Sequence, residues 1–152
     1  MEQNSTRLKF SNSVEIARDP EAVFRYVSDI ATHPDWSPDD IEILDGSSGS
    51  PSIGSRYRTA GFSAVRGARQ EAELEVTVID PPKRFGFTAL SGGVSFENVF
   101  EFTPCQGGTR VERILSFEAS PVVAERMRNM GQQVDQRRDV SLQMLKERLE
   151  RG

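Results

Sequence analysis

Five alternating segments between Arg56 and Ser120 agree on one apolar face, and nothing else in the sequence limits the fold as strongly. The breaks between them carry turn chemistry: Arg66-Gly67, Pro81-Pro82, Gly92-Gly93 and Gln106-Gly107-Gly108. If the breaks are two-residue hairpin loops, residues facing each other across a loop share a constant sum of numbers. Around Arg66-Gly67, Tyr57 then faces Val76, Thr59 faces Leu74 and Arg58 faces Glu75. Around Pro81-Pro82, Val76 faces Phe87 and Val78 faces Phe85. Around Gly92-Gly93, Phe85, Phe87 and Ala89 face Phe100, Asn98 and Phe96. The last break puts Phe96, Asn98, Phe100 and Phe102 on one face with Val111, Arg113, Leu115 and Phe117 for any even-length loop. One of its registers sets Glu101 against Glu112, so the register stays open. A slip of one residue in any hairpin would invert a whole strand. The opposite face collects Arg56, Arg58, Glu71, Glu73, Glu75, Thr88, Glu97, Glu101, Arg110, Glu112 and Glu118, a solvated surface.

The flanks supply the cover for the apolar face. Leu8, Phe10, Val14 and Ile16 alternate in a first strand. Asp19-Pro20-Glu21 then opens a helix with Val23, Phe24 and Val27 as its apolar stripe. A second short helix begins near Asp29 and ends before Pro34. Pro121 opens a long helix in which Val123, Met127, Met130, Val134, Ser141 and Leu145 recur at spacings of three or four. Such a helix needs a surface to bury that stripe. The expected architecture is α+β, in the order β-α-α-β-β-β-β-β-β-α. The Gly46–Gly54 stretch reads as a surface loop, so residues 1–152 form one domain.

Composition excludes several functions. The chain has 152 residues, 23 acidic against 19 basic, and a net charge of −4, which argues against an electrostatic grip on nucleic acid. It holds one cysteine, Cys105, and one histidine, His33. An internal disulfide is impossible, and a Cys/His metal site or other bound cofactor is not expected. No apolar run approaches the ~20 residues of a membrane span. The segment Met1–Thr6 lacks the basic and apolar regions of a signal peptide, so a cytoplasmic location is expected.

The element order, together with Ile16-x-x-Asp19-Pro20-Glu21-Ala22-Val23-Phe24-x-x-Val27-Ser28-Asp29 and His33-Pro34-Asp35-Trp36-Ser37-Pro38, resembles the START-like (SRPBCC) helix-grip superfamily, which includes polyketide cyclase/dehydrase and lipid-transport-like families. Gly54-Ser55-Arg56-Tyr57-Arg58, Glu75-Val76-x-x-Ile79-Asp80-Pro81-Pro82-x-Arg84-Phe85, Phe102-Thr103-Pro104 and Gly107-Gly108-Thr109-Arg110-Val111 extend the match from about Phe10 to Leu149. The resemblance implies a helix-grip fold: a seven-stranded curved antiparallel sheet wrapped around a long C-terminal helix, with two short helices between strands 1 and 2. It also implies a hydrophobic cavity between sheet and helix.

Candidate site residues follow from the inward face. Arg113 alternates with Val111, Leu115 and Phe117, so its charge is aimed at the apolar side, where an uncompensated guanidinium would cost several kcal/mol. Either it lies near the rim, paired with a carboxylate, or it faces the cavity and orients a ligand's carbonyl, phenolate or carboxylate. Tyr57, Thr59 and Asn98 share its face, as the few polar groups of an apolar pocket would. Val76, Phe85, Phe87, Phe96, Phe100, Leu115 and Phe117 are candidate walls from the sheet. Met127, Met130 and Val134 are candidates from the helix, and Trp36 lies beneath the short helices. His33 reads as a rim residue, Cys105 as an exposed or half-exposed thiol without function, and Arg137 and Arg138 as a solvated edge of the helix stripe.

Two functions are compatible with this pattern. One is binding or carriage of a small hydrophobic molecule, lipid-like or aromatic and polycyclic, with no covalent chemistry. The other is a polyketide cyclase, aromatase or dehydratase using Tyr57, Asn98 and Arg113 as its polar set. Oligomeric state, monomer or homodimer, stays open.

Overall fold

Local chemistry starts and stops each element along the chain. In the computed structural model, which describes residues 5–37, 41–46, 51–63 and 68–151, β1 spans Thr6–Ile16. The Asp19 carboxylate then accepts a hydrogen bond from the Ala22 amide at 2.9 Å and caps α1 (Pro20–Val27). The Asp29 carboxylate caps a single 3₁₀ turn, Ile30–Thr32, which runs into the short helix α2 (His33–Trp36). Six strands follow: β2 (Glu42–Gly46), β3 (Arg56–Ser63), β4 (Ala68–Asp80), β5 (Arg84–Ser91), β6 (Val94–Cys105) and β7 (Gly108–Ala119). Ser120 caps α3 (Pro121–Asn129), and α4 (Gly131–Arg151) closes the chain.

The strands form one antiparallel, curved sheet in the order β1-β7-β6-β5-β4-β3-β2. The inward face is the one expected from alternation. Leu74, Val76, Phe85, Phe87, Phe100, Phe102, Val111 and Phe117 are all buried on it, with Thr59, Asn98 and Arg113 among them. The β5–β6 register is the expected one, with Phe85, Phe87 and Ala89 opposite Phe100, Asn98 and Phe96. Its turn residues Gly92 and Gly93 both have positive φ, which a tight hairpin of this hand requires. The β6–β7 register is settled as the one that sets Glu101 against Glu112, with Phe96 opposite Phe117.

Two registers differ from expectation. Between β3 and β4, Tyr57 faces Leu74, Thr59 faces Ala72 and Arg58 faces Glu73, so Arg56 is the residue opposite Glu75 and pairs with it at 3.2 Å. The last described pair is Ser63 and Ala68. The connection is therefore four residues long, and the shift of two leaves every side chain on its expected face. The expected Arg66-Gly67 turn, and positions 47–50 of the Gly46–Gly54 loop, lie outside the described residues. Between β4 and β5, Val76 faces Phe87 as expected, but Ile79 rather than Val78 faces Phe85. A bulge at Thr77 absorbs the odd residue of a three-residue connection, 81–83.

The C-terminal segment is two helices instead of one. Met130 leaves the helical region (φ −95°, ψ 4°), and α4 restarts at Gly131, a poor helix former. A side chain at Gly131 would point at the Phe10 ring, 3.7 Å away. Beyond the break, α4 lies across the inner face of the sheet. Leu142, Leu145 and Leu149 pack with Ile16, Trp36, Val76, Phe85 and Phe100 in one apolar cluster. Val134 and Met127 pack with Phe117, Ala119 and Ala124 in a second. Polar contacts fasten the far end of α4: Arg18 Nη1 donates to the Leu149 carbonyl at 2.8 Å, and Arg148 Nε donates to the Asp35 carbonyl at 3.0 Å. The Ala17 amide donates to Glu150 Oε2 at 2.8 Å.

Gly108 marks the closest approach of the β1 end to the first residue of β7. A Cβ there would fall inside the van der Waals shell of the Ile16 carbonyl, a backbone atom that cannot swing away. Gly108→Ala is expected to destabilise the fold by about 1–3 kcal/mol, the usual range for overpacking, read as a lower urea midpoint at unchanged m-value.

Candidate functional site

The two apolar clusters do not merge completely, and the gap between them is a cavity of about 190 Å³. Thr59, Phe87, Phe96, Asn98, Arg113 and Leu115 border it from the sheet, and Met127 and Val134 border it from α3 and α4. The lining reaches solvent through Arg137, which is exposed, and Phe62, which is half-buried.

The remaining candidates lie in packed core away from the cavity. Trp36, Val76, Phe85 and Phe100 are fully buried in the first cluster. Phe117 and Met130 pack in the second, with Phe117 against Phe96 at 4.8 Å between ring centroids. Tyr57 is buried near the β2 edge; burial raises its phenol above the ordinary value of 10.0, and the Asp29 carboxylate adds to the rise. Tyr57 therefore does not share a cavity with Asn98 and Arg113.

The polar groups around the gap are held in a defined arrangement. Arg113 is 9% exposed, and its guanidinium carbon lies 5.4 Å from the centroid of the Phe100 ring. Directly across β1 from Arg113 is Asn12, also buried. Arg138, on α4, donates from Nε to Asn12 Oδ1 at 2.8 Å and from Nη2 to the Arg113 carbonyl at 3.1 Å. Asn12 Nδ2 donates in turn to Asp139 Oδ1 at 2.9 Å. Arg137 does hold the exposed edge of the helix, with its guanidinium carbon 4.0 Å from the Phe62 ring centroid. Arg138 does not: it is 5% exposed, a buried part of the cavity wall.

Several residues escape a reading of the sequence although their signals are there: Asn12, which holds the lining residue Arg138, and some of the lining itself. Asn12 sits between Phe10 and Val14 in the β1 alternation, so its inward position follows from parity. Arg138 is four residues beyond Val134 and three before Ser141, within the buried stripe of α4. Gln70, Ala72 and Ala89 have inward parity with Leu74 and Phe87, but small or polar residues carry no hydrophobic signal. Ile41 and Phe62 lie at strand ends, where alternation gives no guidance.

His33 differs most from expectation, being core rather than rim. It is 2% exposed, with Trp36 at 4.7 Å and Phe87 and Phe100 each at 5.9 Å between ring centroids. Its Nε2 lies 2.8 Å from the Val27 carbonyl, which can only accept, so Nε2 carries the proton. Burial drives its pKa from 6.5 down to about 4; the Val27 bond opposes the shift and the Arg113 charge adds to it. Cys105 is half-exposed, as expected. Among the described residues no group of three or more His, Cys, Asp or Glu side chains is placed to hold a metal. No described helix is long and apolar enough to cross a membrane.

Comparison with known proteins places this geometry in context. Residues 7–150 match the model of the family described as polyketide cyclase / dehydrase and lipid transport. The chain belongs to that family. No curated protein sequence matches it. Among solved structures, protein TTHA0849 from Thermus thermophilus is similar with a TM-score of 0.72 at 20% identity, over 93% of this chain and 97% of that one. Protein MLL2253 from Mesorhizobium loti is similar with a TM-score of 0.70 at 18% identity, over 95% and 98%. Ara h 8.0201 is similar with a TM-score of 0.63 at 13% identity, over 97% and 100%. Identities this low establish the fold they share with this family member, the helix-grip fold.

The buried His33 makes a pH prediction. Between pH 6.5 and 4 the unfolded chain binds a proton that the folded chain refuses, so stability is full above pH 6.5 and declines as pH falls toward 4. The expected loss from this group is about 3 kcal/mol at pH 4. Urea unfolding across this range should show a shallower decline for His33→Phe; parallel curves would refute the assignment.

Proposed function

We propose that this family member binds a small apolar molecule in the cavity between the sheet and α3–α4. The observation that carries the reading is the chemistry of the lining. Leu74, Phe87, Phe96, Leu115, Met127 and Val134 make the walls apolar, and a few polar side chains interrupt them. Small-molecule sites are commonly built this way. Methionine suits an adaptable wall because its flexible side chain repacks easily. The family description, which names lipid transport and polyketide cyclases, supports the same class of ligand.

The volume restricts the ligand's size. An apolar cavity of ~150 Å³ accommodates benzene, whereas sites for drug-sized molecules run to ~300–1,000 Å³. A space of about 190 Å³ suits a single ring or a medium-length chain better than a fused polycycle or a whole membrane lipid. The binding reading is favoured over cyclase or dehydratase chemistry because Tyr57, the candidate acid, lies away from Asn98 and Arg113. A catalytic set needs its members converging on one reacting atom.

Native mass spectrometry of gently purified protein is expected to show a retained molecule of low mass. Ala89→Trp places a large ring in the cavity and should reduce binding of toluene or 1-octanol at least tenfold, with the melting temperature held within a few degrees. Empty protein, together with no response of the unaltered chain to either probe by calorimetry, would overturn the reading.

A further inference from the structure

One polar group in the cavity wall deepens the apolar-ligand reading, on which the following inference rests. Asn98 lies on the inner face of β6, in the alternation Phe96, Asn98, Phe100, and faces Phe87 on β5 and Leu115 on β7. It is 6% exposed and lines the cavity, yet its side chain makes no hydrogen bond to another described residue. The other buried polar side chains of the lining differ. Thr59 Oγ1 reaches the Ala72 carbonyl at 3.5 Å, and Arg138 donates to Asn12 Oδ1 and the Arg113 carbonyl. Arg113, diagonal to Asn98, has interactions of its own, the Phe100 ring among them. An apolar side chain at this parity would pack more favourably than an amide left without a partner. Buried polar groups are nearly always paired, so an unmet amide aimed into a cavity points to a partner that enters from outside.

We propose that the occupant carries one neutral hydrogen-bonding head, a hydroxyl or a carboxamide, on a small apolar body, and that Asn98 selects for that head. A side-chain amide offers N–H donors and an acceptor oxygen. A hydroxyl or a carboxamide both donates and accepts, so it meets both sides of the Asn98 group. A carboxylate only accepts and an ammonium only donates, so either leaves half of the amide unmet. A hydrocarbon meets neither half. Sites that hydrogen-bond a ligand hydroxyl reject the analogue lacking it far more strongly than apolar pockets distinguish one methylene. Asn98 is thus placed to set specificity where the apolar walls set size.

The head group would lie between Phe87 and Leu115, and the apolar body along Phe96 and Met127. Gln70 supplies a second amide to the lining, and its Oε1 is buried with no hydrogen-bond partner among the described residues. It belongs to the other end of the cavity, where it faces Gly61, the neighbour of the half-buried Phe62. Leu74, Ala89 and Phe96 form one row across the sheet, and Gln70 and Asn98 lie on opposite sides of it. Their rows are about 20 Å apart along the strands. A volume of about 190 Å³ limits the molecule to on the order of ten non-hydrogen atoms, scaling from benzene in ~150 Å³. A molecule of that size reaches one amide and not both, and the more deeply buried Asn98 is the one its head meets.

Calorimetry on the full chain at neutral pH compares phenol, toluene and benzoate, which share a ring and differ in one substituent, with 1-octanol as an unrelated apolar body. Phenol is expected to bind at least as tightly as toluene, although toluene is the more hydrophobic, and at least tenfold tighter than benzoate. Asn98→Leu keeps the approximate volume and removes the amide, and it should lower the ratio of phenol to toluene affinity tenfold or more. Asn98→Ala carries the same comparison if Asn98→Leu does not fold. Tighter binding of toluene than of phenol, or an unchanged ratio in the variant, would overturn the head-group proposal and assign the amide to solvent. Benzoate binding as tightly as phenol would overturn the neutral head. Each of these outcomes leaves the apolar-ligand reading standing. Binding of none of phenol, toluene and 1-octanol would overturn that reading and this proposal with it.

Discussion

Arg138 sits in the middle of α4 with 5% of its surface exposed, and its donors reach two different strands: Asn12 Oδ1 on β1 and the Arg113 carbonyl on β7. Removing a guanidinium from water costs several kcal/mol unless its donors are met, so the helix can adopt few other positions on the sheet. Sliding α4 by one turn, or rotating it by one residue, would break both bonds together. With the helix fixed there, Leu142, Leu145 and Leu149 fall on one apolar cluster and Val134 on the other. The polar contacts at the Leu149 end then fasten a helix whose register is already set.

The cavity follows from the same arrangement. A wholly apolar face would close on the helix, since packed interiors leave few voids. Here Asn12, Asn98, Arg113 and Arg138 form a polar zone between the two clusters, and side chains of that kind keep neighbours at hydrogen-bonding distance and cannot interdigitate as aliphatic groups do. The aromatic residues divide accordingly. Phe85 and Phe100 support the packed end with His33 and Trp36, Phe96 borders the open space, and Phe87 does both, touching His33 and lining the cavity.

The fold was largely legible in the sequence because it rests on alternation, a signal repeated in every strand. Tyr57, Thr59, Phe87 and Asn98 could be placed on the inner face without knowing any loop in detail. The site was less legible because bordering a gap is a property of the three-dimensional packing. Phe100 and Phe87 are equivalent in sequence terms, and only the position of the helix decides which is covered. Arg138 misleads for a related reason: a charged residue in a helical stripe reads as a solvated edge until a polar partner such as Asn12 appears on the facing strand. His33, beside a proline in a short helical segment, carries no periodic signal of its burial.

The differences at β3–β4 and β4–β5 have a consequence for how such a barrel-like cup can vary. Between β3 and β4 the pairing moved by two residues and the inner wall was unchanged. Between β4 and β5 the connection has an odd length, and the strand restores order by setting aside Thr77. What the chain must preserve is evenness, much as a message must preserve its reading frame. Hairpin connections can lengthen or shorten in pairs with the same residues still facing inward. A single insertion inverts everything beyond it unless a bulge nearby returns the strand to phase.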